Sequence, residues 1–378
     1  MICNPSHCTG CAACGDVCPR EAIHMVLGEN GHYIPKINSE KCIDCKLCTN
    51  ICSAEKKLSE VNLETTRVYG GWAEDYSLRK HSSSGGIFTM LAKVILHQNG
   101  VVVGAAFDNL WNVKHRVIDS LDDLELLRRS KYVQSDCSGI YRKVLKYLAE
   151  GRKVLFSGTP CQIGAMRQLA PNDSKNLFLC EVFCYGVPSP VIFHKWLSFL
   201  ETKEKSRICA INFKDKRYGW DYYTTEICFE NGLKLCEFGG DTYKKLMQQG
   251  YSLRESCFHC HYDVQHSYAD FSLGDFYTYH QYLEVHPPKN GISCVITRSN
   301  KADKIIHEID DIQLYPINGE RFFANEKSPL KLFPQEYVRF QQLMNEIGYA
   351  DTLKTFGISR KKSIRMLLQA LRMRYFRW

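Results

Sequence analysis

The chain has 378 residues, enough for two or three domains, and its 44% hydrophobic and 24% charged residues exclude general disorder. Nineteen cysteines in a chain this long are too dilute for a small disulfide scaffold and point to metal or redox chemistry. The net charge of +8 sits at one end: the last 25 residues hold eight basic and no acidic side chains, while the preceding 353 balance at 41 of each, so the body has no charge bias toward nucleic acid.

Met1-Ile2-Cys3-Asn4-Pro5 has neither the basic start nor the apolar stretch of a secretory signal. No apolar run approaches the roughly 18 residues of a membrane span, and a cytoplasmic protein is expected. Cys8, Cys11, Cys14 and Cys18 then follow the pattern C-x2-C-x2-C-x3-C, with Pro19 next, and Cys42, Cys45, Cys48 and Cys52 repeat it 34 residues later. Three closely spaced thiolates wrap one cubane while the fourth points to its neighbour, so the doubled run reads as a module with two 4Fe–4S clusters. Cys8, Cys11, Cys14 and Cys52 are assigned to one, and Cys42, Cys45, Cys48 and Cys18 to the other. Zinc has little use for a compact triplet plus one. Ser53 stands where a proline is expected, and Cys3 falls outside the pattern. So small a module has a poor core and depends on its clusters to fold.

After about Leu63 strand and helix signals alternate. Ser82-Ser83-Ser84-Gly85-Gly86 leads into a helix with Ile87, Leu91, Val94 and Ile95 on one face. Val101 to Ala106 reads as a buried strand, Ile140 to Glu150 as a helix, and Val154-Leu155-Phe156 as a strand. Leu177 to Phe183 gives another strand, Pro190 to Leu200 a helix, and Ile292 to Thr297 a strand. This order predicts an α/β domain with a partly parallel, mixed sheet behind an α+β ferredoxin-like N-terminal module. The loop at Ser83–Gly86 is either a phosphate cradle or an ordinary N-cap loop, and neither G-x-G-x-x-G nor a P-loop is present. Gly158-Thr159-Pro160-Cys161 places Thr159 as N-cap and Cys161 in a first helical turn, where the dipole is expected to lower its thiol pKa. Cys257 and Cys260 form a C-x2-C pair, and Cys184 ends a strand. Cys161, Cys184, Cys257 and Cys260 would bind a third 4Fe–4S cluster, or the pair would form a zinc site with His259, His261 or His266.

Taken in order, the doubled cysteine run, Ser83-Ser84-Gly85-Gly86, Lys131-Tyr132-Val133-Gln134-Ser135, Gly158-Thr159-Pro160-Cys161-Gln162, Cys257-x2-Cys260 and Ala269-Asp270-Phe271-Ser272-Leu273-Gly274-Asp275 resemble the beta subunit family of coenzyme F420 hydrogenases and dehydrogenases. The resemblance spans roughly residues 1 to 290. It implies an iron–sulfur flavoprotein in which FAD exchanges electrons with the clusters and a hydride with an organic substrate or deazaflavin. Ser83, Ser84, Gly85, Gly86, Lys131, Tyr132, Gln134, Ser135, Gly158 and Thr159 become expected cofactor contacts. In that arrangement Lys131 polarises the flavin edge, and Asp275 orients the ribityl chain or donates a proton. The expected division is a ferredoxin domain at 1–62, two parts of the flavin-binding domain at 63–150 and 151–320, and a helical extension at 321–378. A protein such as ferredoxin would be the electron partner.

The tail places Ile364, Leu367, Leu368, Leu371 and Tyr375 on one helical face with basic flanks. Such a helix suits peripheral contact with an anionic membrane, docking to an acidic partner, or packing on the body. Two rival functions stand beside the enzyme: an electron-transfer subunit of a larger redox complex without its own substrate, and a metal-binding interaction protein without flavin.

Overall fold

The computed structural model describes residues 2–56, 58, 60–171, 174–222, 224–237, 241–286, 289–326 and 333–358. The amphipathic tail read from the sequence lies outside them. Among the described residues no helix is long and apolar enough to cross a membrane.

The N-terminal module is a hairpin, β1 (Ile23–Leu27) and β2 (Tyr33–Ile37), flanked by the one-turn helices Ala13–Val17 and Leu47–Asn50. Its own core is little more than Ile2, Cys14 and Ile23, with Cys18, Cys48 and Cys52 packed against them. A core that small stabilises little, so the module leans on the rest of the chain and on its thiols.

The body is built on eight strands. They are β3 (Arg67–Ala73), β4 (Val101–Phe107), β5 (Val113–Ile118), β6 (Val154–Gly158), β7 (Leu177–Val182), β11 (Phe271–Asp275), β12 (Ser293–Thr297) and β13 (Ile312–Ile317). Their order is β13-β3-β12-β11-β7-β6-β4-β5, with β4, β6, β7 and β11 parallel and β5, β12 and β13 antiparallel to their neighbours. The mixed sheet expected from the sequence is therefore present. Its central strands are apolar without interruption because both faces are covered. Val102, Leu155, Phe178 and Cys180 pack on the helix Ile87–His97, while Val101, Val103, Phe156 and Leu179 pack on the helices Ile140–Ala149 and Pro160–Leu169.

A second, antiparallel sheet holds β8 (Ile208–Asp215), β9 (Thr224–Phe229) and β10 (Lys234–Glu237), in the order β10-β9-β8. It encloses an aromatic core with the helix Pro190–Glu204, in which Trp196 stacks on Tyr243 at 5.1 Å. The helices Tyr337–Glu346 and Gly348–Thr355 close that core. Because β3, β4, β6, β7 and β11 all run one way, their carboxyl ends share one sheet edge, where open α/β sheets bind ligands.

Candidate redox centre

The 34-residue repeat recurs in the backbone. Ala12 after Cys11, and Lys46 after Cys45, are both left-handed, at φ 69° and 62°. Each precedes a one-turn helix holding the third cysteine, and Cys18 and Cys52 follow as extended residues. Cys8, Cys11, Cys14 and Cys52 line one cavity with Cys3. Backbone N–H groups of Gly10, Ala13, Gly15 and Ala54 are hydrogen-bonded to these four sulfurs in turn. Four thiols around a cavity, each with an amide donor, fit a cluster whose sulfurs need hydrogen bonds. Burial pushes the Cys11 thiol up to about 11, whereas a hydrogen bond from Cys3 and the nearby Arg254 help draw Cys8 down to about 6. Cys3 thus belongs to this site, although its spacing gave no reason to include it.

The second group is more open. Cys42 and Cys45 are exposed, Cys18 and Cys48 half-buried, and Lys46 lies beside Cys42 and Cys48. The two groups adjoin through the shared core that joins Cys14 and Cys52 to Cys18 and Cys48.

The module is docked on the body by specific contacts. Asp16 Oδ1 accepts from the Gly139 N–H at 2.7 Å, and Oδ2 from Tyr141 and Arg142 at 2.9 and 3.3 Å, so a module carboxylate caps a body helix. Buried Arg254 donates to the carbonyls of Cys8 and Tyr33 at 2.5 and 2.8 Å.

Thr159 is the N-cap, as expected, and forms a capping box with Gln162; Cys161 sits in the first turn, 3.2 Å from Thr159 Oγ1. The expected low thiol pKa is not found. Burial pushes Cys161 well up, with Cys184 and Cys260 adding to it, because removal from water outweighs a helix dipole. Cys161, Cys184 and Cys260 are therefore neighbours, and Cys11 of the module also acts on Cys161. Cys257 lies one turn before Cys260 in Glu255–His259 and accepts from the Val187 N–H at 3.3 Å. His266, named as a zinc alternative, is paired with Asp263 at 2.9 Å. Among the described residues no three His, Cys, Asp or Glu side chains group closely enough to grip one metal ion.

The expected cofactor contacts fall into two sets. Ser83–Gly86 crosses the sheet edge, where Ser84 Oγ donates to the Ile292 carbonyl at 2.8 Å and Ser293 Oγ accepts from the Gly85 N–H at 2.9 Å. Ser83 joins Ser130, next to Lys131, at 3.0 Å. Gly86 starts the helix at φ +90°, a conformation that favours glycine. Lys131, however, turns its ammonium to the carbonyls of Leu126 and Arg128, and burial lowers its pKa to about 7. The second set faces elsewhere. The Gln134 carboxamide accepts from the module's Tyr33 N–H at 2.8 Å. Ser135, with Gln162, Gly158 and Thr159, surrounds buried His115 and Cys137.

No sequence pattern marks Lys214 and Lys216, which β8 and the turn after it bring to the same edge. Lys216 donates to the carbonyls of Arg79, Ser84 and Asn290 at 2.7, 2.8 and 2.5 Å, latching the Ser83–Gly86 loop. Lys214 contacts Asp275 at 2.6 Å and the Tyr277 hydroxyl at 2.7 Å. Burial opposes its charge, but Tyr132, Asp275 and Tyr277 hold its pKa above the ordinary value. Tyr277 stacks on Trp220 at 5.2 Å, and Tyr132 meets Phe213 edge-on. Asp275 Oδ1 is buried without a hydrogen-bond partner among the described residues. An unpaired carboxylate oxygen, fixed cations and aromatic faces at one edge suit a polar aromatic cofactor.

Residues 68–142 match the family model described as coenzyme F420 hydrogenase/dehydrogenase, beta subunit N-term, and residues 151–318 the one for its C terminus, together well over half of the chain. The chain belongs to the coenzyme F420 hydrogenase/dehydrogenase beta subunit family. Residues 7–56 match a 4Fe-4S dicluster domain, which makes this member an iron–sulfur redox protein. Two curated relatives from Methanocaldococcus jannaschii match only the module. An uncharacterized polyferredoxin-like protein is 38% identical over 63 residues, 15% of this chain and 38% of that protein. An uncharacterized ferredoxin is 34% identical over 61 residues, 16% of this chain and 78% of that protein. This chain thus spans under half the length of the first. A solved structure of the F420-reducing [NiFe] hydrogenase complex from Methanosarcina barkeri is similar at a TM-score of 0.46 and 18% identity, over 79% of this chain and 92% of that one.

Proposed function

We propose that this family member is a flavin-dependent oxidoreductase. In this reading Cys8, Cys11, Cys14 and Cys52 hold one 4Fe–4S cluster, Cys18, Cys42, Cys45 and Cys48 a second, and Cys161, Cys184, Cys257 and Cys260 a third. FAD lies along the sheet edge from Ser83–Gly86 to Asp275. One observation carries the reading: the thiol groups connect, through the paired strands β7 and β11, to Asp275 and its unpaired Oδ1. Cys11 acts on Cys161, Cys184 follows the end of β7, and β7 pairs with β11, which ends at Asp275.

Bound there, a flavin turns single electrons from clusters into a hydride for an organic substrate or deazaflavin. Lys216 fixes the loop that would hold its phosphates. Lys214 pairs with one Asp275 oxygen, leaving Oδ1 to receive a hydroxyl group. Trp220 and Tyr277 present stacked ring faces beside this edge. A ferredoxin-type protein is the proposed electron partner, meeting the exposed Cys42 and Cys45 end.

The test is iron, zinc and flavin per chain after anaerobic purification. About twelve irons, one FAD and no zinc are expected for three cubanes and a flavin. About eight irons without flavin would refute the enzyme reading and leave an electron carrier.

A further inference from the structure

Ser53 and Tyr262 are left unused by the function proposed above, and they meet. Ser53, in the proline position of the second cysteine run, directly follows Cys52 and is 1% exposed. Its turn, Ser53–Glu55, packs on the helix Pro160–Leu169 that carries Cys161. Tyr262 follows Cys260 by two residues and is 7% exposed. Its hydroxyl and Ser53 Oγ are both buried without a well-formed hydrogen bond, and they lie side by side. The same hydroxyl sits within electrostatic reach of both Cys161 and Cys11. Gly164, three residues beyond Cys161, makes this approach feasible, because a Cβ there would overlap the Tyr262 hydroxyl. The other tyrosine in the gap, Tyr141, has its hydroxyl committed to the Cys11 carbonyl at 2.8 Å.

We infer that Tyr262, seated by Ser53 and Gly164, is the contact over which electrons pass between the Cys8–Cys11–Cys14–Cys52 group and the Cys161–Cys184–Cys257–Cys260 group. This rests on the reading of both groups as clusters. With clusters bound at both groups, the step would be a one-electron transfer from a reduced to an oxidised cluster, in which no bond breaks and no proton moves. Tyr262 is joined to Cys260 through His261 along the chain, and its hydroxyl lies near both Cys161 and Cys11. A proline at position 53 would have no hydroxyl to set beside Tyr262.

The experiment uses the full chain, purified anaerobically and mixed with a reduced two-cluster ferredoxin, with freeze-quench electron paramagnetic resonance following each cluster. Tyr262→Leu is expected to slow arrival at the Cys161 cluster by about tenfold or more, with iron content and both cluster signals intact. Gly164→Ala, which displaces the ring without touching a cysteine, should slow it similarly. An unchanged rate in Tyr262→Leu at full iron would overturn the bridge. If that variant loses iron, Gly164→Ala decides in its place, and an unchanged rate there overturns the bridge equally. Wild-type protein with about eight irons and no third signal would instead refute the cluster reading beneath it.

Discussion

His115 shows how one side chain can report on a whole site. Its Nε2 lies 2.9 Å from the Ser157 carbonyl, so Nε2 carries the proton and Nδ1 accepts from Ser135 Oγ at 2.6 Å. Ser135 Oγ in turn accepts from Gln162 Nε2 at 3.1 Å, and Gln162 Oε1 accepts from the Thr159 N–H at 2.9 Å, tying the imidazole to the turn that holds Cys161. Burial lowers the His115 pKa to about 4, so the folded protein keeps it neutral. The unfolded chain, at the ordinary value of about 6.5, binds the proton first as pH falls. Stability from this group is therefore full above about pH 6.5 and declines by about 1.4 kcal/mol per pH unit toward 4. His115→Gln should be less stable than wild type at pH 7, through the broken network. The gap between the two should narrow by pH 5. Urea midpoints at both values check this, and a gap independent of pH would contradict a neutral buried imidazole.

At the scale of elements, Asp16 does for the helix Ile140–Ala149 what that helix does not do for itself. Gly139 is its N-cap and offers no side-chain oxygen, so the first N–H groups have their acceptor in the module. Asp16→Ala should cost about 1–2 kcal/mol, the range of a lost N-cap, and should speed hydrogen exchange at Tyr141 and Arg142. Exchange unchanged at those two amides would show that the cap adds nothing. No local pattern betrays this bond, since Asp16 lies among the module's cysteines and its partners lie more than 120 residues away. The same distinction separates what the sequence told from what it hid. Val101–Val103 and Leu177–Leu179 are legible as strands because burial on both faces demands unbroken apolar runs. β3 carries no clear strand signal, since Gly70 and Gly71 interrupt it although β12 and β13 pair with it on both sides. β8 is equally hidden, with a register shift at Cys209 and a buried Lys214 breaking its alternation. The cysteines are legible through spacing; Lys214 and Lys216 become site residues only through partners 61 to 137 residues away in the chain.

For the whole molecule, the thiol groups form a sequence from surface to interior. Cys42 and Cys45 are exposed, the Cys8 group is partly enclosed, and Cys161 is held against the body's sheet edge. Stability and electron entry should therefore separate. The inner group shares its surroundings with the docking contacts: Arg254 holds the Cys8 carbonyl, and Tyr141 the Cys11 carbonyl. In the outer group Arg142 holds the Cys18 carbonyl at 2.8 Å, but among the described residues Cys45 itself has no such tie. Cys45→Ser should remove about four irons per chain while any flavin stays bound, and should stop reduction by a protein donor. Cys14→Ser, at a buried position, should remove a similar amount of iron and also lower the melting temperature, because the module's small core includes that residue. Iron analysis, flavin absorbance and thermal melts on the two variants make the comparison. If Cys45→Ser released the flavin or destabilised the body as Cys14→Ser does, the outer group would be part of the structural core, and an outside-to-inside order of electron entry would fail with it.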